Sequence, residues 1–122
     1  MKTILFIEDE SALQKTFDDV LRKEGYEIIS ALDGEIGLRL AKTKNPDLIL
    51  LDLILPKLNG FDVLKKLKED EKTKEIPVIV LTNLEEMSNI EKALELGSTT
   101  YLVKANYSLK EVIEKIKKAL GE

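Results

Sequence analysis

Short apolar runs rich in β-branched residues alternate along this chain with longer segments whose apolar positions recur at helical spacing. The runs are Thr3–Glu8, Glu27–Ala31, Leu48–Asp52, Val78–Thr82 and Thr100–Val103. In three of them, Ile4–Ile7, Leu48–Leu51 and Val78–Leu81, every position is apolar, which predicts strands buried on both faces at the centre of a sheet. Leu13, Phe17, Val20 and Leu21 mark a first helix, with Ser11 as its expected cap and Gly25 as its stop. Ile36, Leu38, Leu40 and Ala41 predict a shorter second helix, followed by the turn signal Asn45-Pro46-Asp47. A third helix should follow Gly60 through Phe61, Val63, Leu64 and Leu67, and a polar loop, Asp70–Glu75, should lead to Pro77. Ile90, Ala93, Leu94 and Leu96 predict a fourth helix ending at Gly97, and Leu109, Val112, Ile113, Ile116, Ala119 and Leu120 a fifth with a continuous apolar stripe. Strands alternating with helices in this way build a parallel sheet covered on both faces, an α/β fold. No repeat or linker interrupts the pattern, so residues 1–122 are expected to form one domain.

Composition narrows the chemistry. The 23 acidic and 19 basic side chains leave a net charge of −4 and no basic stripe, so direct nucleic-acid binding is not expected. Neither cysteine nor histidine occurs, which removes disulfides, thiolate catalysis, imidazole bases and phosphohistidine relay through this chain. No apolar run approaches the ~20 residues needed to cross a bilayer. A cytoplasmic location without membrane contact is the expectation.

In an open parallel sheet, ligands bind beyond the carboxyl ends of the strands. The first strand finishes in Glu8-Asp9-Glu10, the third in Asp52, the fourth in Thr82-Asn83, and the fifth runs through Tyr101 to Lys104. Carboxylates, a hydroxyl and an ammonium are thus expected at one rim. Clustered carboxylates repel unless a cation intervenes, and oxygen ligands with no nitrogen or sulfur among them point to Mg²⁺, or Mn²⁺, rather than zinc. Mg²⁺ takes one or two protein carboxylates and coordinates phosphate oxygens, so such a rim suits a phosphoryl group. Asp52 is the natural nucleophile, with Lys104 supplying a facing positive charge.

Glu8-Asp9, Asp52, Pro56, Gly60, Thr82, Tyr101 and Lys104, each in its place within five β/α units, resemble the motif set of bacterial response-regulator receiver domains across the whole chain. The resemblance implies a doubly wound, flavodoxin-like sheet in the order 2-1-3-4-5. It implies a chain that is phosphorylated on Asp52 in a Mg²⁺-dependent reaction and assists its own phosphorylation and dephosphorylation without being an enzyme. Asp9, Asp52 and the backbone carbonyl of Ile54 would bind the metal, with Glu8 acting directly or through water. Thr82 would donate to a phosphoryl oxygen, Lys104 would pair with another, and Tyr101 would turn inward as Thr82 moves. Ile54 and Leu84 would flank the approach of the hydrolytic water. A sensor histidine kinase or phosphotransfer protein would be the donor. A downstream protein would read the face made by the fourth helix, fifth strand and fifth helix.

The departures from that pattern carry expectations of their own. Ala105 follows Lys104 where the family usually has proline, often cis; before alanine a cis bond would cost ~2.5–4 kcal/mol, so a trans bond is expected. Asn83 replaces the usual small residue and could narrow the entrance. Thr99 and Thr100 replace acids that many transcription-factor members use in dimer salt bridges, so a monomer is expected. Competing readings are a pseudo-receiver or engineered scaffold that keeps the fold alone, and a small phosphohydrolase, which would want a second acid where Ile54 stands. Flavin binding would want a Ser/Thr/Gly-rich loop after the first strand.

Overall fold

A computed structural model describes residues 1–122. The chain alternates β1 (Thr3–Ile7), α1 (Ser11–Lys23), β2 (Glu27–Ala31), α2 (Gly34–Lys44), β3 (Leu48–Leu51), α3 (Gly60–Glu69), β4 (Val78–Thr82), α4 (Met87–Glu95), β5 (Thr100–Val103) and α5 (Leu109–Ala119). All strand pairs are parallel and the order is β2-β1-β3-β4-β5, the doubly wound order expected. The three fully apolar runs are the three central strands.

Strand alternation splits the core into two layers. Ile4, Phe6, Leu48, Leu50, Ile79, Leu81 and Leu102 face α1 and α5, where they meet Phe17, Leu21, Val112, Ile113 and Ile116. Leu5, Ile7, Ile49, Leu51, Val78 and Val80 face α2, α3 and α4 and meet Ala41, Val63, Leu64, Leu67 and Ala93. The Phe6 and Phe17 rings pack edge to face at 5.2 Å, an arrangement that favours the ring quadrupoles and locks α1 to β1.

The ends of elements show where local pattern misled. Ser11 is the first helical residue of α1, not its cap; Glu10 holds the cap position and makes no side-chain capping bond. The second helix is longer than its apolar stripe. It starts at Gly34 behind the Asp33 carboxylate, which accepts the Ile36 N–H at 2.8 Å, and two glycines in its first turns conceal the helical pattern. α5 opens with a full capping box, Ser108 and Glu111 each bonding the other's backbone N–H. Gly25 (φ 94°) and Gly97 (φ 106°) end α1 and α4 in the left-handed region, as their positions predicted. A 3₁₀ turn over Lys104–Asn106, which no pattern announced, follows β5. No peptide bond is cis, in line with alanine after Lys104.

Candidate functional site

β1 and β3 end one residue sooner than their apolar runs suggested, and that places the acids. Ile7 pairs with Leu51 in register, so Glu8 and Asp52 are the first residues beyond two adjacent strands, side by side where the strand order reverses. The Asp52 N–H donates to the Ile7 carbonyl at 3.0 Å and the Glu8 N–H to the Ala31 carbonyl at 3.0 Å, which pins both residues to the sheet. Glu8 (1% exposed) and Asp52 (4%) are buried, while Asp9 is open to solvent. One carboxylate oxygen from each of the three lies within 4.8 Å of the others.

Lys104 enters from the far edge on the turn after β5. Its ammonium donates to Glu8 Oε1 at 2.5 Å and to Asp52 Oδ2 at 3.0 Å. Burial works against the lysine's charge, but the two carboxylates outweigh it and hold its pKa above the ordinary value. Glu8 tells the complementary story. Its burial pushes its carboxyl up to about 7, the Lys104 hydrogen bond pulls against that rise, and the Asp52 charge adds to it. One ammonium is thus shared between two buried acids.

The other oxygen of Asp52 accepts the Ile54 N–H at 3.2 Å. Gly60 closes the loop beneath, donating its N–H to the Leu53 carbonyl at 2.9 Å. A Cβ at Gly60 would fall on the Leu53 Cα and the Asp52 carbonyl oxygen, so the close approach itself requires glycine. Pro56 shapes the same loop through its carbonyl, which accepts the Leu58 N–H at 2.8 Å. Thr82, the last residue of β4, is fully buried beside Val103, and its hydroxyl accepts the Leu84 N–H at 3.5 Å. Tyr101 packs against the α2–α3–α4 core layer and donates its hydroxyl to the Leu84 carbonyl at 2.9 Å, so its ring already lies inward. Burial and the Asp52 charge raise its pKa. Ile54 is 53% exposed, and Leu84 is half-buried against that same core layer.

The sheet rim therefore gathers Glu8, Asp9, Asp52 and Lys104 in one cluster, with Thr82 and Tyr101 linked through Leu84 beside it. Pattern reading missed Gln14, a buried polar residue of α1 whose amide reaches the backbone of Glu8. The signal was present: Gln14 falls in line with Phe17 and Leu21 on the apolar stripe, where a polar residue needs a reason.

A doubly wound sheet carries, at its switch point, a cluster of hard oxygen donors with a paired lysine. Residues 4–117 match the response regulator receiver domain, and the chain belongs to that family. It is a receiver domain of two-component signalling.

The relatives bear on the whole length. The chain is 39% identical over 117 residues to a probable transcriptional regulator, ycf27, of Porphyridium aerugineum, covering 96% of this chain and 47% of that protein. It is 37% identical over 121 residues to the polar-differentiation response regulator DivK of Brucella ovis, covering 99% of this chain and 98% of that one. The chain thus spans about half the length of the first curated relatives it matches and nearly all of DivK. Among solved structures, the receiver domain of sensor histidine kinase PA1611 from Pseudomonas aeruginosa superposes with a TM-score of 0.89 at 28% identity, over 99% of this chain and 98% of that one. That domain carries a magnesium ion coordinated in its active-site cleft.

Proposed function

We propose that this receiver domain is phosphorylated on Asp52 and that the reaction requires Mg²⁺ held by Glu8, Asp9, Asp52 and the backbone carbonyl of Ile54. The observation that carries the reading is the three-carboxylate cluster with Lys104 bridging Glu8 and Asp52. Three carboxylates against one ammonium leave two formal negative charges, and the donors are hard oxygens, so the set fits a divalent cation of the Mg²⁺ or Mn²⁺ kind. Such an ion, when bound, neutralises charge building on the transferring phosphoryl oxygens.

The chain's own residues supply the rest. Asp52, anchored by the Ile54 N–H and by Lys104, presents a carboxylate oxygen that displaces the donor's leaving group at phosphorus. Lys104 then pairs with a phosphoryl oxygen, and the Thr82 hydroxyl turns from the Leu84 amide to donate to another. Because Tyr101 holds the Leu84 carbonyl, a shift at Thr82 is transmitted to β5 and biases the α4–β5–α5 face between two states. In this role the chain is a phosphoacceptor rather than an enzyme, although it assists its own phosphorylation and dephosphorylation. Its partners are a sensor histidine kinase or phosphotransfer protein as donor and a downstream protein at the switched face, all in the cytoplasm. Neither a pseudo-receiver nor a phosphohydrolase is favoured by any contact in the site.

Intact-mass measurement after incubation with acetyl phosphate and Mg²⁺ tests the reading. One phosphoryl group should be gained by the native chain, and none by Asp52→Asn or in excess chelator. Undiminished labelling of Asp52→Asn would refute it.

A further inference from the structure

Gln14 is only 7% exposed on the inner face of α1. Its amide nitrogen lies 2.7 Å from the Ala31 carbonyl oxygen, 2.8 Å from that of Glu8 and 3.2 Å from that of Phe6. An amide has two N–H groups, so the two short contacts, to the ends of β2 and β1, carry the attachment. The Ala31 carbonyl also accepts the Glu8 N–H. A closed ring results, in which the Glu8 N–H is tied to the end of β2 directly and the Glu8 carbonyl is tied to it through the Gln14 amide.

The Glu8 carbonyl and the Asp9 nitrogen belong to one planar peptide, so fixing the first orients the second. Asp9 is exposed, and its reach toward Glu8 and Asp52 depends on the backbone that carries it. An apolar side chain at position 14 would complete the stripe of α1 yet leave two carbonyls without that donor. The amide therefore answers a need of the β1–α1 junction rather than of helix packing.

We propose that Gln14 is a positioning residue of the cation site, holding the Glu8–Asp9 peptide so that the Asp9 carboxylate stands beside Glu8 and Asp52. It sets the affinity for Mg²⁺ without touching the ion. This rests on the reading of the acid cluster as a divalent-cation site.

Mg²⁺ alone, titrated into the isotope-labelled full chain and followed through the backbone amides of Asp9, Leu53 and Ile54, tests both. The native chain should respond saturably. Gln14→Met changes no charge and little volume, and should weaken Mg²⁺ about tenfold, the usual scale for losing a group that orients a ligand. Gln14→Asn, whose amide is one methylene short, should weaken it as well and decides the matter if Gln14→Met does not fold. Leu21→Val, on the core face of the same helix, should lower the melting temperature yet keep native affinity. Native affinity in the Gln14 variants, or an equal loss in Leu21→Val, would overturn the positioning role alone. No saturable response in the native chain would remove the cation site and the role of Gln14 together.

Discussion

Glu8 shows how much a single buried carboxyl can be asked to do. Its pKa is raised to about 7 from an ordinary 4.5, first by burial, against the pull of Lys104. Between those values the folded chain binds more protons than the unfolded one, so the stability this group contributes is full below about pH 4.5 and is lost as pH rises through 7. In excess chelator, urea unfolding of the native chain should therefore weaken from pH 5 to 7.5 relative to Glu8→Gln, by on the order of 1–3 kcal/mol. A parallel pH course for the two proteins would contradict the raised value.

Ile54 and Leu84 set a second prediction on the same scale. Hydrolysis of an aspartyl phosphate needs a water held in line behind phosphorus, and neither side chain can hydrogen-bond one. Slow self-dephosphorylation is expected. The double variant Ile54→Asn, Leu84→Glu should lose phosphate roughly tenfold faster, the worth of one positioning hydrogen bond of about 1.4 kcal/mol. Decay at the native rate after donor removal would show that water access is governed elsewhere.

At the scale of elements, the turns beyond the strands position the chemistry and the helices behind them hold the turns. α3 begins at Gly60, where the Asn59 side chain accepts the Asp62 N–H at 3.1 Å and the glycine lies against the Asp52 carbonyl. In an ordinary helix, replacing glycine by alanine gains up to ~1 kcal/mol. Here the sign should invert: Gly60→Ala is expected to cost roughly 1–3 kcal/mol in urea unfolding, because the new methyl group displaces the backbone under Asp52. A gain in stability would mean that the loop has room the geometry denies. The opposite end of the sheet is closed by α5, where Lys117 pairs with Glu24 at 2.5 Å and Tyr26 donates to the Glu122 carboxylate.

Over the whole molecule, Leu84 joins β4 to the face the site should control: its N–H donates to the Thr82 hydroxyl and its carbonyl accepts from Tyr101 of β5. α4, which carries exposed Met87 and Leu94, is tied to α3 by the Lys92 ammonium 4.4 Å over the Phe61 ring. Amide shifts recorded with and without a phosphoryl mimic should change along α4, β5 and α5; changes confined to α2 would contradict that link. On that face Lys115 and Lys118 neighbour Thr99 and Thr100, with no acid on β5 to meet lysines of a second copy. The activated chain should sediment as a monomer, and a tight dimer would overturn that expectation.

The alternation of buried runs and helical stripes was enough to predict a parallel sheet covered by helices and its three central strands, since side chains buried on both faces leave few polar positions; the doubly wound order came only with the family resemblance. It was also enough to bring Asp52, Glu8-Asp9 and Lys104 to one rim, because residues just beyond parallel strands share an edge of the sheet. What the chain alone could not show depended on contacts between residues distant in sequence. The inward Tyr101 and the bond from Gln14 to Glu8 and Ala31 each require two or three elements to be in place first. The raised pKa of Glu8 has the same origin, for burial and a shared ammonium are properties of the assembled rim and of no segment within it.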